Sequence, residues 1–137
     1  MTPAELAALH AATFSWPRPW SENEFGAFLA SPHVFLVTQR SAFALGRAIA
    51  GEAELLTIAT HPDHRRAGLG QRCLAAFDEA ARRRAADVAF LEVAATNAPA
   101  MALYKANGWV IAGQRRGYYQ GPDNARIDAQ ILSKRLT

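Results

Sequence analysis

Leu55-Leu56-Thr57-Ile58-Ala59-Thr60-His61-Pro62-Asp63-His64-Arg65-Arg66-Ala67-Gly68-Leu69-Gly70-Gln71-Arg72-Cys73-Leu74 changes its pattern twice. The first six residues close an apolar, partly β-branched run, Ala53 to Thr60, that reads as a strand. His61-Pro62 ends it, because proline lacks an N–H and restricts the residue before it. Residues 63–70 are polar and carry glycine. From Leu69 onward Cys73, Leu74, Phe77, Ala80 and Ala81 recur at intervals of three and four. That spacing predicts an amphipathic helix running to about Ala86. A glycine-bearing loop before a helix aims backbone N–H groups and a positive dipole end at one spot. A phosphate suits such a place, and Arg65 and Arg66 would add charge and directed donors. The loop lacks the Gly-x-x-x-x-Gly-Lys-Ser/Thr pattern and the three glycines of a dinucleotide fingerprint. A different phosphate-bearing ligand fits better. A plain turn with solvated arginines would read the same way, so the loop alone does not decide.

Toward the N-terminus, Thr2-Pro3-Ala4-Glu5 is a capping box with proline at the first helical position. It predicts a helix over residues 3–13. Trp16-Pro17-Arg18-Pro19-Trp20 breaks it, and Ser21 to Glu24 is a second box opening a second helix. Pro32 ends that one. Val34 to Thr38 reads as a strand. Gln39-Arg40-Ser41 is a short link to an antiparallel strand, Ala42 to Ile49. Toward the C-terminus, Val88 to Ala94 is almost continuously apolar, which predicts a central strand covered on both faces. Asn97 caps a short helix that Gly108 stops. Trp109 to Ala112 and Ala125 to Leu132 are the last strands, joined by a polar stretch with Tyr118, Tyr119, Gly121 and Pro122. The order α α β β β α β α β β indicates an α/β (α+β) fold, a mixed sheet with helices on its faces.

The chain's 137 residues make one domain, 1–137. Half the residues are apolar, which excludes a disordered chain. No run of eighteen apolar residues exists, so no membrane span is expected. Met1-Thr2-Pro3-Ala4-Glu5 lacks the opening of a signal peptide. The net charge of +3 is mild, and no nucleic-acid-binding module accompanies it. Cys73 is the only cysteine, so no internal disulfide can form and a reducing, cytoplasmic setting is expected. Cys73 also falls on the apolar helix face, where it reads as packing. His10, His33, His61 and His64 are scattered, and no metal site is expected.

The loop Arg65-x-x-Gly68-x-Gly70 resembles the Gln/Arg-x-x-Gly-x-Gly/Ala signature of the GNAT N-acetyltransferase superfamily. The likeness continues through Phe90-Leu91-Glu92-Val93, Asn97 and Ala102-Leu103-Tyr104-Lys105-Ala106-Asn107-Gly108-Trp109. Arg115-Arg116-Gly117-Tyr118-Tyr119 and Pro19-Trp20-Ser21 are similar to the bacterial ribosomal-protein alanine N-acetyltransferase (RimI-like) branch. The resemblance spans about Trp20 to Leu136. It implies a mostly antiparallel sheet flanked by helices and acetyl-CoA as co-substrate. It implies that Ile58, Ala59 and Thr60 pair with the pantetheine arm. Arg65, Arg66, Ala67, Gly68, Leu69, Gly70 and Gln71 would hold the pyrophosphate, and Asn97 and Tyr104 would contact the coenzyme near its acyl end. It makes Glu92 the general base and Tyr104 the general acid. Family members begin with a strand where this chain begins with a helix, so the first edge strand is expected to be missing. The Gln39–Ser41 link also looks shortened.

The chemistry agrees with those roles. An attacking amine must be neutral, whereas an α-amine has a pKa of about 8 and a lysine about 10.4. A base is therefore required. Glu92 sits in an apolar strand, where burial favours a carboxyl group's neutral form. A structural glutamate at a strand end is the alternative. The departing thiolate accepts a proton from a nearby phenol, and Tyr104 lies twelve positions beyond Glu92. Ordinary helix packing is its alternative. Trp20, Tyr118 and Tyr119 are candidate acceptor-groove residues. The expected acceptor is a protein or peptide N-terminus, a ribosomal one by the resemblance. A small amine or a lysine is the second reading, and a non-catalytic acyl-CoA sensor the third. The sensor is disfavoured because Glu92 and Tyr104 are both present. A monomer or homodimer is expected.

Overall fold

The computed structural model describes residues 1–14, 16–65 and 67–137. Helix α1 spans Pro3–Thr13 and helix α2 spans Glu22–Leu29. Both start where their capping boxes predict. Thr2 Oγ1 accepts from the Glu5 N–H while the Thr2 N–H donates back to Glu5, and Ser21 and Glu24 repeat the exchange. Strands β1 (Val34–Gln39), β2 (Ala42–Ile49) and β3 (Glu52–Thr60) follow as an antiparallel meander. Two residues, Arg40 and Ser41, turn the first hairpin, with Arg40 at φ 49°. Ala50 and Gly51 turn the second, both at positive φ, the conformation a tight hairpin demands. Helix α3 (Leu69–Arg83), strand β4 (Val88–Ala94), helix α4 (Ala98–Ala106) and strands β5 (Val110–Gln120) and β6 (Arg126–Arg135) complete the chain.

The six strands form one sheet in the order β1-β2-β3-β4-β6-β5. Only β3 and β4 run parallel, with α3 as their crossover. The first described element is helix α1, and β1 forms the sheet edge on that side. Helix α3 fills one face: Cys73, Leu74 and Phe77 pack with Phe35, Ala44, Leu91 and Trp109. Helices α1 and α2 cover the other through Leu6, Leu9 and Phe25 against Phe43, Leu45 and Ala59. Burying one such large apolar side chain contributes about 1.5–3 kcal/mol. Cys73 is fully buried and its thiol is pushed up to about 11 by burial, as a packing residue's would be. No helix among the described residues is long and apolar enough to cross a membrane.

Three expectations need correction. Tyr118 and Tyr119 lie in β5, which runs to Gln120 instead of ending near Ala112. Strand β4 is buried on the α3 face through Ala89, Leu91 and Val93, but Val88, Phe90 and Glu92 on its other face are only half-buried. Helices α1 and α2 pack on β3 and β1 and leave that part open. Arg82-Arg83-Arg84, which in the sequence read as a solvated cluster compensating the helix dipole, are not simply solvated. Arg82 Nε donates to the Leu136 carbonyl at 2.7 Å, and the Arg84 guanidinium lies 4.9 Å from the centre of the Phe35 ring.

Gly46 shows how tightly β2 and α3 meet. A Cβ there would stand 2.5 Å from Phe35 Cζ and 2.7 Å from Phe77 Cε2. Those rings stack on each other at 5.5 Å, so neither has room to yield. Gly46→Ala is expected to lower the unfolding free energy by about 1–3 kcal/mol through overpacking. Urea denaturation checks this, with the midpoint falling and the slope unchanged.

Candidate active site

Strands β3 and β4 pair over three residues only: Glu52 with Val88, Ala53 with Ala89 and Glu54 with Phe90. Beyond that point they separate, although β3 continues to Thr60 and β4 to Ala94. A bulge in β3 marks the divergence. Leu55 pairs with Gly46 and Thr57 with Leu45, leaving Leu56 as the extra residue. A bulge bends its strand and increases the local twist. The result is a cleft of about 900 Å³ walled by Leu55–Thr60 on one side and Leu91–Ala94 on the other. No strand covers these facing edges, so backbone donors and acceptors line the wedge.

Helix α3 starts at the cleft. Its N-cap is Gly68, at φ 76°, with no side-chain cap and no acidic residue in the first turn. The N–H groups of Leu69, Gly70 and Gln71 thus lack a capping side chain. Arg65, Gly68, Leu69, Gly70 and Gln71 all line the cleft, as do Ile58, Ala59 and Thr60. A Cβ on Gly70 would sit 3.2 Å from Leu103 Cδ2, so this glycine lets α3 begin close to α4. Ala67 lines a separate small hollow with Arg40, His64 and Arg72. Arg66 lies outside the described residues. Asn97 lines the cleft and caps α4, its Oδ1 accepting from the Ala100 N–H at 3.3 Å.

Tyr104 and Glu92 reach the same cleft. Tyr104 is 7% exposed and its ring packs 6.0 Å from Trp109. Burial, reinforced by the charge Tyr119 would carry, pushes its phenol well above the ordinary range. It is therefore neutral at physiological pH and keeps an O–H to donate. Glu92 is not the isolated carboxyl its apolar strand suggests. Arg115 Nε stands 3.3 Å from Glu92 Oε1, and the glutamate side chain is 21% exposed.

Strand β5 accounts for that partnership. Arg115 pairs with Ala129 and Tyr119 with Ile127, so Arg116, Gly117 and Tyr118 together oppose Asp128 alone. The Asp128 carboxylate holds this bulge by accepting from the Gly117 N–H at 2.8 Å and from Gln114 Nε2 at 2.7 Å. Because the bulge adds an even number of residues, Arg115 and Tyr119 remain on one face of the sheet. Glu92 shares that face, because it pairs with Ile131, two steps from Ala129. The Tyr119 phenol is raised to about 12, first by burial and then by the nearby Glu92 charge, with Arg115 opposing. Tyr118 points elsewhere: it is 48% exposed, lies under the Arg115 guanidinium and does not line the cleft. Trp20 lines the cleft and stacks on Phe28 at 4.9 Å, so it serves the core as well. Trp16 Nε1 donates to the Gln120 carbonyl at 2.7 Å, tying the α1–α2 link to the end of β5.

The sequence reading passed over His10 and Thr57. His10 is 4% exposed, ringed by Phe14, Trp20, Phe25 and Phe43. Its Nδ1 accepts from the Trp20 N–H at 2.9 Å, and its Nε2 lies 3.0 Å from Thr57 Oγ1. Burial lowers its pKa to about 4, against a weaker raising effect of Glu24. Only its position four residues from Leu6 and three from Thr13 on one helix face could have hinted at this. Among the described residues, no three His, Cys, Asp or Glu side chains gather as a metal site would need.

This constellation has known counterparts. The profile of the acetyltransferase (GNAT) family matches residues 4–109. The ribosomal protein bS18-alanine N-acetyltransferase of Escherichia coli (strain K12) is 37% identical over 131 residues, covering 93% of this chain and 88% of that one. The N-alpha-acetyltransferase RimI of Mycobacterium tuberculosis is 36% identical over 123 residues, covering 83% and 76%. The crystal structure of the ribosomal-protein-S18-alanine N-acetyltransferase from Escherichia coli superimposes with a TM-score of 0.87 at 31% identity, over 98% of this chain and 88% of that one. The chain belongs to the GNAT acetyltransferase family. It is an N-acetyltransferase, and within the family it is RimI-like.

His10 makes stability depend on pH. Its folded pKa of about 4 lies below the ordinary value of 6.5, so the unfolded chain binds more protons between the two. Stability is then complete above about 6.5 and falls as the pH drops toward 4, by on the order of 3 kcal/mol. Glu24, held at about 2 chiefly by Arg18, adds a separate loss below 4.5. Urea midpoints taken from pH 7 to 4 should fall for the wild type and stay flatter for His10→Gln.

Proposed function

We propose that the protein moves an acetyl group from acetyl-CoA directly to the N-terminal α-amine of a protein, a ribosomal protein being the favoured acceptor. The observation carrying this reading is the wedge between β3 and β4, with Glu92 and Tyr104 on its walls and the uncapped start of α3 at its end. The identity to ribosomal protein bS18-alanine N-acetyltransferase supports the acceptor class. The donor fits what lines the wedge. A pantetheine arm carries two amides, which suit the open strand edges at Ile58, Ala59 and Thr60. A pyrophosphate suits the open N–H groups of Leu69, Gly70 and Gln71, with Arg65 beside them and Asn97 nearer the acyl end.

The amine nitrogen attacks the thioester carbonyl carbon, so a C–N bond forms and the C–S bond breaks. Glu92 takes the proton the amine must lose, directly or through water. Arg115 fixes the carboxylate on the cleft side. Tyr104 offers its O–H to the departing sulfur. A thiolate is as poorly solvated there as a phenolate would be. Donation from a preset O–H therefore stabilises the leaving group as charge develops. Cys73 is buried in the core between α3 and the sheet and does not line the cleft, so the direct route uses no acetylated cysteine.

Two substitutions test these roles. Tyr104→Phe should lower kcat by about 10²-fold or more while the Kd for acetyl-CoA, measured by calorimetry, holds. Unchanged turnover would remove Tyr104 as the acid. Glu92→Gln should lose most activity below the α-amine pKa of about 8 and recover part of it above. A loss equal at every pH from 6 to 9 would leave Glu92 a purely structural part.

A further inference from the structure

The polarity of the hydrogen bonds around His10 is forced. The Trp20 backbone N–H points at Nδ1, so Nδ1 must be the unprotonated nitrogen. The remaining proton of the neutral ring is then on Nε2, which donates to Thr57 Oγ1 at 3.0 Å. A doubly protonated ring would set Nδ1–H against the Trp20 N–H. Burial among four aromatic rings opposes that charge as well. Thr57 Oγ1 therefore spends a lone pair on His10, and its own O–H remains to be donated. No described residue accepts it. Both His10 and Thr57 line the cleft.

The face on which this donor lies matters. Leu55 packs with the α3 core, but Ala59 packs under α1 and α2. The extra residue Leu56 causes that switch, and it puts Thr57 on the α1/α2 face. Glu92 is on the same face of β4, opposite the Leu91 and Val93 side chains buried against α3. Thr57 and Glu92 thus flank the wedge from its two walls. One wall carries the group that takes a proton from the amine. The other carries a hydroxyl fixed as a donor. An acceptor satisfies both if it bears a hydrogen-bond-accepting oxygen close to its amine. In a peptide N-terminus the first carbonyl oxygen is that atom. In a lysine side chain or a plain alkylamine, four or more methylenes or nothing at all stand in its place.

We propose that His10 and Thr57 form a positioning pair, in which the Thr57 hydroxyl donates to the first carbonyl oxygen of the acceptor and so selects α-amines of peptides over other amines. The inference rests on the acceptor class proposed above and deepens it. His10 does not touch the acceptor. Its part is to occupy one lone pair of the hydroxyl and so restrict the direction in which the O–H is donated.

Steady-state kinetics with an alanine-first peptide, and with the same peptide bearing a thioamide at its first carbonyl, tests the pair. Sulfur is the weaker acceptor. For the wild type the thioamide should raise KM about tenfold. Thr57→Val should raise KM for the ordinary peptide about tenfold, leave KM for acetyl-CoA unchanged and show no further thioamide penalty. Thr57→Ser should restore both the ordinary KM and the penalty. Thr57→Val also strands the His10 Nε2–H, so assays belong well below its melting temperature; the thioamide comparison within each variant is independent of stability. A wild type active on peptides whose KM is unchanged by Thr57→Val, or a thioamide penalty surviving in that variant, overturns the pair alone. A wild type that acetylates only lysine side chains or alkylamines overturns both the pair and the acceptor class.

Discussion

Two neighbouring parallel strands that pair for three residues and then part company are the constraint on which the rest of this protein depends. A parallel pair in the middle of a sheet ordinarily satisfies every backbone group along its length. Here the divergence leaves peptide groups open on both facing edges, at the sheet's centre. Such groups are costly unless something pairs with them. A strand-like ligand with its own amides can do so from within the wedge. The same divergence admits the first turn of α3 to the cleft, and it exposes side chains of β3 and β4 that a closed ladder would press together.

Holding the wedge open requires rigidity on both sides. On the β3 side, β1 and β2 form a continuous meander backed by Phe35, Phe77 and Phe43. On the β4 side, β6 pairs along the full strand from Val88 to Ala94, and β5 pairs with β6. A buried ion pair, Lys134 with Asp78, joins β6 to α3 across the core. Removing one partner of such a pair leaves a charge unpaired, which costs far more than the pair itself contributes. The two halves of the sheet are thus fixed separately, and α3 spans them.

Local signals in the sequence carry most of the fold. Thr2 to Glu5 and Ser21 to Glu24 announce their helices because a capping box is complete within four residues. The recurrence of Leu69, Cys73, Leu74 and Phe77 at intervals of three and four reports α3, and Gly108 at φ 91° ends the segment after α4. The start of α3 at Gly68 is equally legible, since the glycine loop and the helix it starts are contiguous, whereas Ile58 and Tyr104 come to the site only through the family resemblance. What escapes is non-local. The extension of β5 through polar Gln114 to Gln120 depends on Asp128, a partner on another strand. The Glu92–Arg115 pair depends on that extension. His10 looks like one scattered histidine among four until Trp20 and Thr57 supply partners ten and forty-seven positions away.

The bulges at Leu56 and opposite Asp128 shape the site from opposite sides. Side chains in a strand alternate between faces, so one inserted residue flips everything beyond it. Leu56 flips β3: without it Thr57 would sit with Leu55 in the α3 core, and His10 would face no hydroxyl. The three residues against Asp128 act differently: they add two residues to β5, an even number, so Tyr119 keeps the face that Arg115 occupies while the strand bends between them. Glu92 itself needs no such device, because β4 is regular and its even-numbered positions already face the open side. A regular strand therefore carries Glu92, the proposed base, and irregular strands on either hand bring the surrounding polar groups to it. Hydrophobic periodicity reports the regular strand well, for the α3 core enforces it. The irregular ones are held by hydrogen bonds donated to Asp128 and by the offset pairing with Leu45, so their pairing departs from the regular ladder where the site is built.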